Sequence, residues 1–351
     1  MKPGRYTLVP DPDVETLLDR FLPEVASEIG SLHLEKLQAV VLGGGYGRGE
    51  GGVRHTPDGG RLYNDLDFFV FADGASAHEA RRIDRELKNL SGRWEKQLGI
   101  AVDFGPVKNI SALKSVSRTL MFQELLHGWK PVWGQADLDR WIQVLDAGEI
   151  PFSEAVRLLL NRGMGLVLAG DYLKNQKNDP DFIVRNMNKA YLGGGDALLI
   201  AAGKYCWHGS ERVRAFHELV RQENLSGEYA GLYEKAFHWK LEPEVVMPAD
   251  PAAVWRKCRN YYLDCVALCA GEKPGAGCSA VIAGLRHRAG RERSLKNALR
   301  WLLHGRTWRP PLTFFDPPVV SVLEILYVLL SESPDYAELP DRLRRLWNRF
   351  N

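Results

Sequence analysis

The sequence lacks any uncharged apolar run long enough to cross a bilayer. Residues 1–30 mix Asp, Glu, Arg and Pro among their apolar positions and do not read as a signal peptide. Charge bias is also missing. Lys and Arg total 46 against 44 Asp and Glu, a formal net charge of +2, so affinity for nucleic acid or acidic membranes would have to be local. Cysteine is scarce: Cys206, Cys258, Cys265, Cys269 and Cys278 all lie in the C-terminal half. Cys265 and Cys269 sit one helical turn apart in an apolar, aromatic stretch and read as buried reduced thiols. No CxxC pair occurs, and the nine histidines have no metal-ligand spacing, so a zinc site has no basis here. These absences lead us to expect a cytoplasmic protein that does not bind membranes.

What is present is a globular composition, 45% hydrophobic and 26% charged over 351 residues. That is enough for one large domain or two ordinary ones. Residues 1–150 alternate helix-like and strand-like segments. "VETLLDRFLPEVASEI" has helical periodicity, and "LQAVVLGG" reads as a buried strand. "LDFFVFAD" and "IAVDFGPV" are further strands, and "KPVWG" is a short extended piece. "SAHEARRIDRELKNLSGRWEKQLG" opens on a Ser N-cap and reads as a solvated helix. "ALKSVSRTLMFQELLHG" reads as one helix ending at His127. From about residue 151 nearly every segment is helical. We therefore place a boundary near 140–152 and expect an α+β first domain (1–150), a sheet with flanking helices, before an all-helical second domain (151–351).

Three carboxylates interrupt or end apolar strands. Asp65 and Asp67 are two apart in "DLDFFVF", and side chains two apart on a strand share a face. Asp103, in "AVDFG", lies on the next expected strand. If the strands are neighbours, three acids meet on one face, a cluster that persists mainly where divalent cations neutralise it. Such a cluster suits two Mg²⁺ ions, or Mn²⁺ in their place, in an in-line displacement at phosphorus. Upstream, "LGGGYGRGEG" follows a strand. Its glycines permit close backbone approach, so that successive N–H groups can point at phosphate oxygens, and Arg48 can add a planar fork. No GK[ST] follows, so it is not a Walker A loop, nor is it a dinucleotide fingerprint in a βαβ unit.

Together these features resemble the DNA polymerase β-type nucleotidyltransferase superfamily over roughly residues 38–108. Gly44-Gly45 correspond to its Gly-[Gly/Ser] turn, and Arg48-Gly49-Glu50 to the "RGE" that often follows in bacterial minimal members. Asp65 and Asp67 correspond to its Asp-x-Asp, and Asp103 to its third acid. The spacer from Gly45 to Asp65 is longer than the family's, and "GGVRHTPDGGR" reads as an inserted surface loop that is either inert or a lid. The resemblance implies a mixed sheet of the nucleotidyltransferase type and a helical second half. It also implies transfer of a nucleoside monophosphate from an NTP to a hydroxyl, with pyrophosphate leaving. Asp65, Asp67 and Asp103 would hold the metals, and Asp103 would help to activate the acceptor. Gly44, Gly45 and Arg48 would meet the nucleotide, with Lys189 or Lys204 reaching the triphosphate from the second domain. The plain reading of both lysines is solvated surface.

Several residues carry weaker signals. Glu50 reads as a loop-fixing residue rather than a base, and Asp196 and Glu124 are minor candidates for an acceptor base. The glycines of "YLGGGDALL" would let another element approach closely. Residues 286–309 are basic, with Trp301 and Trp308 interleaved, and are either an RNA-binding patch or a solvated helix face. The acceptor is a small molecule, a protein side chain or an RNA end. The rival reading is a catalytically idle domain of the same fold, acting as a nucleotide sensor or antitoxin-like binding module.

Overall fold

The structure is a computed structural model that describes residues 4–290, 317–333 and 340–350. The chain divides into two compact units. The first comprises Met1–Asp146 together with two short later segments, Trp207–Gly209 and His238–Glu244; the second takes the rest. Residues 291–309 of the basic segment lie outside the described residues. Among the described residues no helix is long and apolar enough to cross a membrane.

The first unit is of mixed α+β type. Strand β1 (Leu37–Leu42) is flanked by two antiparallel neighbours, β4 (Leu66–Ala72) and β7 (Lys130–Gly134). On its other edge β4 pairs in parallel first with β5 (Val102–Phe104) and then, further along the same strand, with the two-residue β6 (Lys108–Asn109). The order is β5-β4-β1-β7. Alternation along β4 sends Leu66, Phe68 and Val70 to one face, where they pack with Leu18, Phe21 and Val25 of helix α1 (Pro12–Ser31) and Leu87 and Trp94 of α3 (Ala77–Leu98). The opposite parity sends Phe71 to a smaller core with Val41, Phe122 and Leu125. Asp67 has the parity of Phe69 and Phe71, and therefore lies on this second face.

Local chemistry sets the helix ends. The Asp11 carboxylate accepts from the Val14 N–H at 3.0 Å, with Pro12 in the first helical turn. Ser76 and Glu79 form a reciprocal capping box at the start of α3.

Two expectations are corrected. The segment "ALKSVSRTLMFQELLHG" is not one helix. It breaks into a 3-10 turn (Ile110–Ala112), a single turn α4 (Leu113–Val116) and α5 (Leu120–Leu126). Ser115, Ser117 and Thr119 each donate a hydroxyl to a carbonyl three residues back, and such back-bonds compete with the helical ladder. The buried Gln123 amide then bridges the break by donating to the carbonyls of Ser117 and Gln143. The inserted "GGVRHTPDGGR" is not an irregular loop either. It forms a hairpin of β2 (Val53–Thr56) and β3 (Gly59–Leu62), whose turn residues Pro57-Asp58 precede Gly59 at φ +115°. The Gly60 N–H donates to Asp13 at 2.9 Å, which fastens the hairpin to the start of α1.

The second unit is helical. The helices Phe152–Lys174, Pro180–Ala201 and Pro251–Cys269 pack with one another, and the first and third also pack with the helix Pro318–Glu332. The glycines of the helix Pro180–Ala201 are where neighbours close in. A Cβ on Gly193 would overlap Arg162, one on Gly194 would press on Cys265 and Tyr261, and one on Gly195 would overlap the Tyr233 ring. Cys258, Cys265 and Cys269 are buried, and all five cysteines are free thiols. Burial holds the Cys258, Cys265 and Cys269 thiols well above the usual range, so they stay protonated.

Gly195→Ala therefore forces Tyr233 to move and is expected to lower stability by about 1–3 kcal/mol. Urea unfolding measures this, and Gly92→Ala, where a Cβ meets nothing within 4 Å, serves as the control.

Candidate functional site

The site begins where β1 ends. Gly43 lies opposite Asp67 and donates its N–H to the Asp67 carbonyl at 2.8 Å. The chain then makes one helical turn, α2 (Gly44–Gly47). Gly44 stands at φ +60°, and a Cβ there would overlap the Asp67 carboxylate. Only glycine satisfies both demands, so the turn rests directly against that carboxylate. Within the turn the first donor is the Gly47 N–H, to the Gly43 carbonyl at 2.8 Å. The N–H groups of Gly44, Gly45 and Tyr46 precede it and have no acceptor within the turn.

Two of the three acids come together. Asp67 and Asp103 are register partners on the parallel strands β4 and β5, about 4.8 Å apart by strand spacing. They line one cavity of about 500 Å³. Asp65 stands one residue before β4 and is exposed. Among the described residues no group of three or more His, Cys, Asp or Glu side chains is gathered as a metal site. Nearby, the fully buried Tyr46 hydroxyl donates to the Gly52 carbonyl at 2.8 Å and accepts the Tyr63 N–H at 2.9 Å. Burial above all, with the Asp65 charge adding to it, holds this phenol above its usual range and keeps it a donor.

The loop after the turn is fastened by charge. Glu50 is 2% exposed. It accepts the Gly209 N–H at 2.5 Å and the Lys240 ammonium at 3.3 Å, with the Arg48 guanidinium at 3.9 Å. Arg48 also donates to Glu124 at 3.3 Å. Arg48 and Glu124, read from sequence as a phosphate ligand and a possible acceptor base, are thus engaged with each other. Trp207 stacks on His127 with centroids 4.3 Å apart, and Trp239 meets Tyr63 edge-on at 5.7 Å. These contacts explain why Trp207–Gly209 and His238–Glu244 belong to the first unit rather than to a continuous helical domain.

The remaining sequence candidates lie in the helical unit. Lys204 binds the Gln222 side chain, and Lys189 is exposed on the helix Pro180–Ala201. Asp196 accepts the Tyr233 hydroxyl at 2.5 Å and lies 3.7 Å from the Arg212 guanidinium. Sequence reasoning missed Phe69, Lys108, Met121 and Phe122, which line the cavity with the two acids. The parity of β4 was a usable signal for Phe69. The partners of Glu50, 159 and 190 residues away in the chain, gave none.

Compared with known proteins, the chain matches no protein-family model, no curated protein and no solved structure.

The buried Glu50 carboxylate carries its own test. Glu50→Ala removes the acceptor that Gly209, Lys240 and Arg48 share and should cost about 3–5 kcal/mol in urea unfolding. A loss under about 1 kcal/mol would mean that the loop is held by something else.

Proposed function

We propose that the chain is an Mg²⁺-dependent nucleotidyltransferase, with its sheet arranged as in the DNA polymerase β-type superfamily. The observation that carries the reading is the pairing of Asp67 with Asp103 on adjacent parallel strands, with a glycine turn pressed on the Asp67 carboxylate. Two neighbouring carboxylates repel each other unless a cation or a proton is shared between them. Their hard oxygen donors suit Mg²⁺ or Mn²⁺. Asp67 and Asp103 would hold the ions, joined by Asp65 from the exposed end of the strand. When bound, the ions neutralise triphosphate charge and polarise the α-phosphate.

The chain's own groups divide the remaining work. The N–H groups of Gly44 and Gly45, next to Asp67, are the backbone donors available to phosphate oxygens. Asp103 accepts the proton of the acceptor hydroxyl. The acceptor oxygen forms a bond to the α-phosphorus as the bond to the β-phosphate bridging oxygen breaks, and pyrophosphate departs. Arg48 and Glu50 act at one remove, by fixing the loop that follows the turn. Lys204 and the basic segment 286–309 stay in the reading as proposed contacts to triphosphate and RNA.

A catalytically idle nucleotide sensor is the second reading. In its favour, no three-acid group is gathered among the described residues, and Arg48 is committed to Glu124 and Glu50.

Asp67→Asn and Asp103→Asn should each reduce NTP-dependent pyrophosphate release at least about a hundredfold. The thermal midpoint should hold or rise, because one of two repelling charges is gone. Full activity in either variant removes the transferase reading. Tight NTP binding by the parent chain without pyrophosphate release would establish the sensor instead.

A further inference from the structure

The cavity beside the acid pair has a chemistry of its own. Its about 500 Å³ is within the range of small-molecule sites. Its walls are aromatic and apolar: Phe69 and Phe71 from β4, and Met121 and Phe122 from α5. Met121 is 50% exposed, although it lies beside a buried aromatic cluster. Phe69 and Phe122 meet edge-on with centroids 6.0 Å apart, which gives one wall the rigid faces that a planar ring stacks against.

Charge lies at the two ends of this cavity. Asp67 and Asp103 occupy one end. Lys108, on β6, pairs with Phe71 of β4, so it stands four residues further along the strand from Asp67 on the same face. Four residues of strand span about 13 Å. The Lys108 ammonium lies 5.9 Å from the centroid of Phe122, and among the described residues no carboxylate forms an ion pair with it. A polycationic acceptor would find aromatic walls and a repelling lysine beyond the acids. A flat apolar molecule with a hydroxyl at one end and an anionic group at the other fits both ends and the walls.

We infer that this cavity is the acceptor site and takes a small planar ring alcohol or phenol whose anionic group meets Lys108. The inference rests on the transferase reading for the word acceptor. The ligand class rests on the cavity alone. In the transfer, the ring hydroxyl loses its proton to Asp103 and bonds to the α-phosphorus, the bond to the β-phosphate bridging oxygen breaks, and pyrophosphate leaves. Lys108 is a specificity-determining residue in this scheme, about 13 Å along the sheet from the acids.

The test uses 6-hydroxy-2-naphthoate, which carries a hydroxyl and a carboxylate at opposite ends of a fused ring, and its uncharged counterpart 2-naphthol. Binding to the full chain is read by fluorescence and calorimetry without nucleotide or metal. The naphthoate should bind at a single site. Lys108→Ala should weaken it about tenfold through loss of a charge-assisted contact, and leave 2-naphthol within about twofold. Met121→Glu, a change at an exposed position that sets a negative charge at the cavity wall, should also weaken the naphthoate while keeping the thermal midpoint. No naphthoate binding, binding indifferent to both substitutions, or displacement by the polycation kanamycin would overturn the assignment. Pyrophosphate release, measured in parallel, separates the two ideas. Lys108-dependent binding without release keeps the ligand class and removes the transfer. Release without such binding keeps the transfer and removes the ligand class.

Discussion

A single buried carboxylate organises the first unit. Glu50 sits at the end of the glycine-rich loop with almost no solvent contact, and a charge in that position persists only if it is paired and hydrogen-bonded. Its partners are the Gly209 N–H, Lys240 and Arg48. Two of these come from distant parts of the chain, and their recruitment is what makes the unit discontinuous in sequence. The same anchoring turns "YGRGEGG" from a run of flexible residues into a fixed path. Tyr46 completes it, with its ring against Gly51 and its hydroxyl bridging Gly52 and Tyr63.

Fixing that path positions the turn before it. Gly44 holds a left-handed backbone against the Asp67 carboxylate, and Asp67 stands beside Asp103. The sheet sorts the rest by parity. One face is sealed by α1 and α3, whereas the other is covered by the short segments α4 and α5, which break where Ser and Thr hydroxyls compete with the helical ladder. A face covered by short pieces leaves room, and the room lies next to the acids. The proposed nucleotidyl transfer uses the acid pair, and the proposed ligand class uses the cavity beside it.

Much of this was legible in the sequence. The strands "LQAVVL", "LDFFVFA" and "KPVWG" and the Ser76 cap follow from local rules, because apolar runs, caps and alternation are local signals, whereas the meeting of Asp67 with Asp103 was conditional on their strands being neighbours. The hairpin at residues 53–62 was readable and missed. "TPDG" is a turn with a mechanism, but the flanking glycines and charges blur the strand pattern on either side of it. The broken helix at 110–126 was missed for a different reason, since periodicity does not register side chains that bond back to the backbone. The long-range partners of Glu50 could not be read at all. A lysine and a backbone amide far along the chain carry no mark of the carboxylate they will meet. The same holds for Lys108, whose relation to Asp67 depends on a two-residue strand.

The central claim is that the face bearing Asp67 and Asp103 binds a nucleoside triphosphate with divalent metal. Electron paramagnetic resonance of Mn²⁺ titrated into the full chain with α,β-methylene-ATP, which cannot release pyrophosphate, tests it without relying on turnover. The account predicts that Mn²⁺ and the nucleotide bind together, and that replacing both acids by Asn weakens this binding at least about tenfold while the chain stays folded. Joint binding undiminished in the double variant would contradict it.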